Sequence, residues 1–242
     1  PKPKFERRTR TKTEKPVIEV PPELDGMEPV SMLADDHFVV KYVNGRGIPK
    51  SRWNRLFWSK DMRFIADRVG GYDETRFDSV PRLLLPFING EGKMTHIQGR
   101  AIGDNVPKGG RYYTLEVIED SPKVYGLDQI DNTQPVKVVE GPIDSLFLSN
   151  CAGMGGADVP WSIFKPENTI FVWDNERRSK TIVKKMRDAV DRGFGICVWD
   201  KSIRDKDIND MVLAGRSPEQ LDNYILNHSY RGLKAKMALA QL

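Results

Sequence analysis

The feature that most restricts this chain is the stretch from Val136 to Asp210, where short hydrophobic runs alternate with helical patterns and two of the runs end on carboxylates. Val136-Lys-Val-Val-Glu140-Gly141 and Thr169-Ile-Phe-Val-Trp-Asp174-Asn175-Glu176 are β-branched and aromatic runs of strand length. Strands that alternate with helices build a parallel sheet covered on its faces, and the carboxyl ends of its strands form one rim where ligands bind. Glu140, Asp174 and Glu176 are expected on that rim, together with a third acidic island, Asp205-Lys-Asp207-Ile-Asn209-Asp210. Clustered carboxylates repel one another. A divalent cation relieves this, and hard oxygen ligands suit magnesium better than zinc.

The order of these islands resembles the Toprim domain, the metal-binding fold shared by topoisomerases and bacterial-type primases. The blocks upstream narrow the resemblance to primases: Tyr42-Val-Asn-Gly-Arg-Gly-Ile48, Arg82-Leu-Leu-Leu-Pro-Phe87, Gln98-Gly-Arg-Ala101, Arg111-Tyr-Tyr113 and Val124-Tyr-Gly-Leu127. It runs from about His37 to Gly215 and is greatest to the primases of T-even-type bacteriophages. The fold this implies is α/β, a Toprim-like parallel sheet flanked by helices, preceded by a small α+β subdomain and followed by C-terminal helices. The expected divisions are a basic linker at 1–28, the α+β subdomain at 29–134, the Toprim subdomain at 135–216 and a helical segment at 217–242.

The resemblance further implies synthesis of short RNA primers on a single-stranded DNA template from ribonucleoside triphosphates. Mg²⁺, or Mn²⁺, would be held or positioned by Glu140, Asp174, Glu176 and Asp207, with Asn209 and Asp210 in second rank. One of these carboxylates, Glu140 for instance, would serve equally as an acid–base group. The second island departs from the family's Asp-x-Asp by placing Glu176 at the second position. A hexameric replicative helicase is the implied partner of the carboxyl-terminal segment. Two other readings stay open: another Toprim enzyme (a nuclease or topoisomerase), and a non-catalytic primosome subunit that binds DNA and helicase.

Arg82, Arg100, Lys108 and Arg111 are expected to face a groove toward the acidic rim. Gly99, Gly109 and Gly110 would allow close approach to phosphate, and Tyr112 would stack on bases. Any one of these arginines is ordinarily surface charge; the set, read with the resemblance, implies contacts to template and nucleotide. Residues 1–16 hold seven basic side chains against Glu6 and Glu14, a net +5, while the whole chain is +4. The basicity therefore sits in the tail, read as a solvated linker with weak phosphate affinity.

With two cysteines and no Cys-x-x-Cys pair, the chain encodes no zinc ribbon. Zinc would belong to an amino-terminal module absent here, so the chain, opening Pro-Lys-Pro-Lys, reads as a fragment. Cys151 and Cys197 lie in apolar runs as buried thiols, and neither a membrane span nor a signal peptide is visible, so the expected compartment is the cytoplasm, that of the host if phage-encoded.

Local patterns predict a helix over Pro29–Asn44, a short helix over Arg52–Phe57, a loop at Ala66–Gly71, and a strand at Leu83–Ile88 whose Pro86 implies an edge or a bend. Asn89-Gly-Glu-Gly92 predicts a hairpin. Helices are expected at Ile143–Asn150, at Arg178–Arg192, after the Ser217-Pro-Glu-Gln220 capping sequence, and at Arg231–Leu242 with Leu233, Met237, Leu239 and Ala240 as its apolar face.

Overall fold

The computed structural model describes residues 26–103, 106 and 109–242; nearly all of the expected linker, and Lys108, lie outside the described residues. Two sheets organise the rest. The first contains β1 (Glu28–Pro29), β2 (Phe57–Ser59), β3 (Arg82–Ile88), β4 (Met94–Ala101) and β5 (Tyr112–Glu116) in that spatial order, all antiparallel. Between these strands come α1 (Phe38–Gly45) and α2 (Met62–Val69). The second sheet is built from β6 (Val124–Tyr125), β7 (Val136–Val139), β8 (Cys151–Met154), β9 (Thr169–Val172), β10 (Gly195–Cys197) and β11 (Ser229–Tyr230). Its order is β11-β10-β9-β7-β8-β6, and the four central strands are parallel, as the alternating pattern predicts. Its helices are α3 (Pro142–Ser145), α4 (Lys180–Asp191), α5 (Ile208–Leu213), α6 (Pro218–Asn227) and α7 (Gly232–Leu239).

Every residue of β3 is buried, so it is a central strand and Pro86 marks no edge. The missing N–H of Pro86 lies just before a register shift at Phe87/Ile88, where the ladder bends. Alternate side chains divide between two cores: Leu83, Leu85 and Phe87 share one with Val139 and Val172 of the second sheet and Ile143 of α3, while Leu84 and Ile88 share the other with Met62 and Ile65 of α2. Burying each of these large apolar side chains is worth roughly 1.5–3 kcal/mol relative to exposure. The two sheets thus share one core, and the expected boundary at 134/135 is crossed by β6, which pairs with β8.

Several local expectations are corrected. The first helix begins only at Phe38, where His37 caps it through Val39 N–H; Val30–Met32 is a separate 3₁₀ turn. Lys50–Arg55 is also 3₁₀, and Phe57 opens β2 instead of closing a helix. The segment taken for a loop is the end of α2, capped by Asp61, with Met62, Ile65 and Ala66 buried. After β7 the helix stops at Ser145, although Leu146 and Phe147 still point into the core. α7 packs on α4 and β10 through Ala235 and Leu239, which leaves Leu233 75% and Met237 60% exposed on its other side. The hairpin, α4 and the α6 capping box form as predicted. Among the described residues, no helix is long and apolar enough to cross a membrane.

Candidate active site

β7, β9 and the loop before α5 end on the same rim of the parallel sheet. β7 delivers Glu140, β9 delivers Asp174 one residue past Trp173, and the loop delivers Lys206 and Asp207. Asn175 holds the last two pieces together. Its backbone N–H donates to Lys206 O at 2.6 Å, and its side-chain amide donates to Ile203 O at 3.0 Å and Asp205 O at 3.1 Å. Gly153 permits β8 to lie against the β7–α3 turn, because a Cβ there would sit 2.6 Å from Pro142 Cα. The result is a cleft of about 520 Å³ with Glu140, Asp144, Asp174, Lys206 and Asp207 on one wall. Gln98 of β4 and Tyr112 and Thr114 of β5 form the other.

Asp144 is the acidic residue that sequence reasoning missed. It lies four residues after Glu140 on the first turn of α3, and it accepts the Asn209 N–H at 3.0 Å. Desolvation, then the negative charge of Asp207, pushes its carboxyl up to about 7. Asp174 is likewise raised to about 7 by desolvation, with Glu140 and Asp207 as the next causes. Burial raises Glu140 too, against the pull of Lys185 and the Asp174 backbone amide, and its Oε1 is buried with no hydrogen-bond partner. Asp207 spends one oxygen on capping α5 through Asp210 N–H at 2.8 Å.

Glu176 sits apart, at the outer lip, paired with Lys206 at 3.0 Å; the same ammonium lies 3.7 Å from Asp174. Asp210 is exposed in the first turn of α5. Asn209 is buried and links the two halves of the molecule: its side-chain amide donates to Arg46 O at 2.7 Å, and its oxygen accepts from the Arg46 guanidinium.

The expected basic groove is corrected in one respect. Arg82 is fully buried and faces no groove; it donates to Gly110 O at 2.7 Å, Gly99 O at 3.2 Å and Asp78 at 2.7 Å, and lies over the Tyr113 ring. The space beside Gly99 is filled by Met62 and Arg82, not left open for phosphate. Arg100 is placed near the cleft: it donates to the Tyr42 and Tyr112 hydroxyls, while Arg46 donates to Tyr42 at 2.7 Å. Arg111 is exposed beside it.

A divalent ion fits this wall. Three carboxyls with raised proton affinity and one partnerless carboxylate oxygen mark unmet negative charge, although among the described residues no three ligating groups already converge on one point. Such a wall suits a hard divalent cation that takes one or two carboxylates and completes its shell with water and substrate phosphates.

Both raised acids hold their proton more tightly in the folded than in the unfolded chain. Stability is therefore lost as pH rises from the ordinary carboxylate range through about 7, and regained as pH falls. Metal-free protein should melt lower at pH 8 than at pH 6. Asp144→Asn, which keeps the acceptor for Asn209, should recover on the order of 1–3 kcal/mol at pH 8. Denaturant melts at the two pH values measure this, and equal pH dependence in the variant would contradict the cause.

No protein-family model matches the chain. Among solved structures, the E. coli primase catalytic core superposes with a TM-score of 0.58 at 18% identity, covering 84% of this chain and 76% of that one. The DnaG primase catalytic domain bound to single-stranded DNA gives 0.59 at 17%, covering 85% and 77%. The chain has the fold of these primase catalytic cores. In sequence, the chain is 36% identical over 213 residues to the DNA primase of Enterobacteria phage T4. That match covers 86% of this chain and 61% of the phage primase, so the chain spans less than two thirds of that relative. In this primase-type fold the acidic wall belongs to the parallel sheet, and the wall with Tyr112 and Gln98 to the antiparallel one.

Proposed function

We propose that the chain is the catalytic core of a DNA primase, joining ribonucleotides into a short RNA on a single-stranded DNA template. The observation that carries this is the cleft itself. It sets a carboxylate wall, with Glu140 Oε1 unpartnered, opposite a wall bearing an exposed tyrosine backed by Arg100. Sequence relation to a phage primase and the fold support the same reading.

Glu140, Asp174 and Asp144 would hold Mg²⁺ or Mn²⁺, with Asp207 adding charge beside them. When bound, the ions would supply acidity to the attacking 3′-hydroxyl and neutralise the departing pyrophosphate. Lys206 screens Asp174 and Glu176 and keeps the rim from opening under its own repulsion. Tyr112, 42% exposed, offers a ring to stack on a base, and Arg100 steadies it by donating to its hydroxyl, with the guanidinium carbon 5.0 Å from the ring centroid. Arg111, exposed on the same side, would contact phosphate. A hexameric helicase partner belongs to this proposal only by the family resemblance.

Primer synthesis by the purified chain on single-stranded DNA, with ribonucleotides and a titration of Mg²⁺, tests the proposal. Template-dependent RNA products that require the divalent ion are expected. Metal-dependent cleavage of the DNA without RNA synthesis would replace it with a nuclease.

A further inference from the structure

Beside the acidic cleft, on the far side of Glu176, lies a second cleft of about 400 Å³ formed where the β9–α4 loop meets the loop after β10. Four cations line it: Arg177 and Arg178 from the first loop, Lys201 and Arg204 from the second. Among the described residues, none of these four side chains forms an ion pair or donates a hydrogen bond, and Arg177 Nε is buried without a partner. Of the nearby carboxylates, Glu176 is engaged by Lys206 at 3.0 Å, and Asp200, which accepts the Ser202 N–H at 2.8 Å, is in the field of only Arg177 of the four, so among the described residues Arg178, Lys201 and Arg204 face no carboxylate. The 12-residue α4 also starts at this cleft, with no acidic side chain in its first turn to meet its positive end.

Such a set of cations, three of them without a facing carboxylate, repels itself, and an anion with several negative oxygens relieves it. The lining identifies the kind of anion. No aromatic ring is present, and Ile203, the one large apolar side chain there, is only 6% exposed, so nothing would hold or read a base. The cleft is also shallow and shares Glu176 with the rim where the carboxylates gather. The geometry points to a binding site for the phosphodiester backbone of a nucleic acid as it leaves the acidic rim. Arg177, Arg178, Lys201 and Arg204 contact its phosphates without regard to sequence. The direction of travel rests on the proposed polymerase reading; the phosphate chemistry of the site does not.

The test uses the whole chain and the double variant Arg178→Gln/Arg204→Gln, two exposed side chains whose loss leaves no partner stranded. Binding of fluorescent single-stranded DNA and of an RNA–DNA hybrid is measured by anisotropy across a salt series, without catalysis. The variant should bind about tenfold more weakly at moderate salt, and its salt slope should fall by about 2, near one unit per lost phosphate contact. Loss on the hybrid alone assigns the product duplex to the site; equal loss on both ligands assigns the template strand. Wild-type affinity and slope on both ligands overturn the inference, and so does a variant that loses ATP binding while holding the nucleic acids normally. A wild-type chain that makes no RNA but loses nucleic-acid binding in the variant would sink the polymerase reading and leave this site standing.

Discussion

Asp174→Asn should reduce primer synthesis by about 100- to 1,000-fold while leaving the protein folded. The side chain changes only in charge, so its packing against the rim survives. The wild-type carboxyl is raised to about 7 by desolvation and by Glu140 and Asp207, so removing it relieves repulsion, and the metal-free variant should melt at or above the wild-type temperature. Losing one preorganised charge in a water-poor site costs roughly 2.7–4 kcal/mol of transition-state stabilisation. Glu176→Gln is the comparison that makes the result specific. Glu176 is 44% exposed at the side chain and tied to Lys206, so its loss should cost about tenfold or less. Calorimetry with Mg²⁺ or Mn²⁺ adds an independent readout: Asp174→Asn should weaken binding several-fold. Activity within threefold of wild type, at unchanged metal affinity, would remove Asp174 from the reaction.

Arg82→Ala should fail in the opposite way, through stability. The guanidinium is 0% exposed and joins Asp78, the Gly99 and Gly110 carbonyls and the Tyr113 ring across three segments of the first sheet. Truncation removes the cation paired with Asp78, which keeps only the Val80 N–H and the Tyr113 hydroxyl, and leaves a void beside the Gly110 carbonyl. Breaking a buried pair typically costs about 3–5 kcal/mol, a large share of the roughly 5–15 kcal/mol that holds a domain folded. Chemical denaturation should show that loss. Arg111→Ala, exposed on the strand's edge, should change stability by no more than about 0.5 kcal/mol and act on turnover alone. If Arg82→Ala melted like wild type yet lost turnover, Arg82 would be a substrate-binding group after all.

The parallel rim was legible in the chain because period and length are local. Val136–Val139 and Thr169–Val172 are hydrophobic runs interrupted only by Lys137 and Thr169, as strands buried on both faces read, so the carboxylates that follow them had to emerge at one edge. α2 was equally legible but passed over: Asp61 caps it, and Met62, Ile65, Ala66 and Val69 recur at helical spacing ahead of Gly70-Gly71. Asp144 carried a weaker local signal, its spacing of four from Glu140 across a Gly-Pro turn. Its proton affinity rises only once packing buries it, with the charge of Asp207, brought beside it by the α5 loop, as the second cause.

By itself, then, the sequence determined the strand–helix alternation, the carboxylates at the strand ends, and the caps of α4 and α6, since each depends on residues a few positions apart. The tertiary structure alone decided which charged groups are chemistry and which are scaffold. Arg82 and Arg100 are both lone cations within strand sequence, yet one is wholly enclosed by Asp78, the Gly110 carbonyl and the Tyr113 ring while the other is left beside the cleft. Glu176 and Asp207 look alike as neighbours of Asp174 or Asn209, yet a single lysine draws one outward while a helix cap holds the other in. Burial and charge coupling depend on what packs across a gap of many residues, and no local pattern encodes that distance.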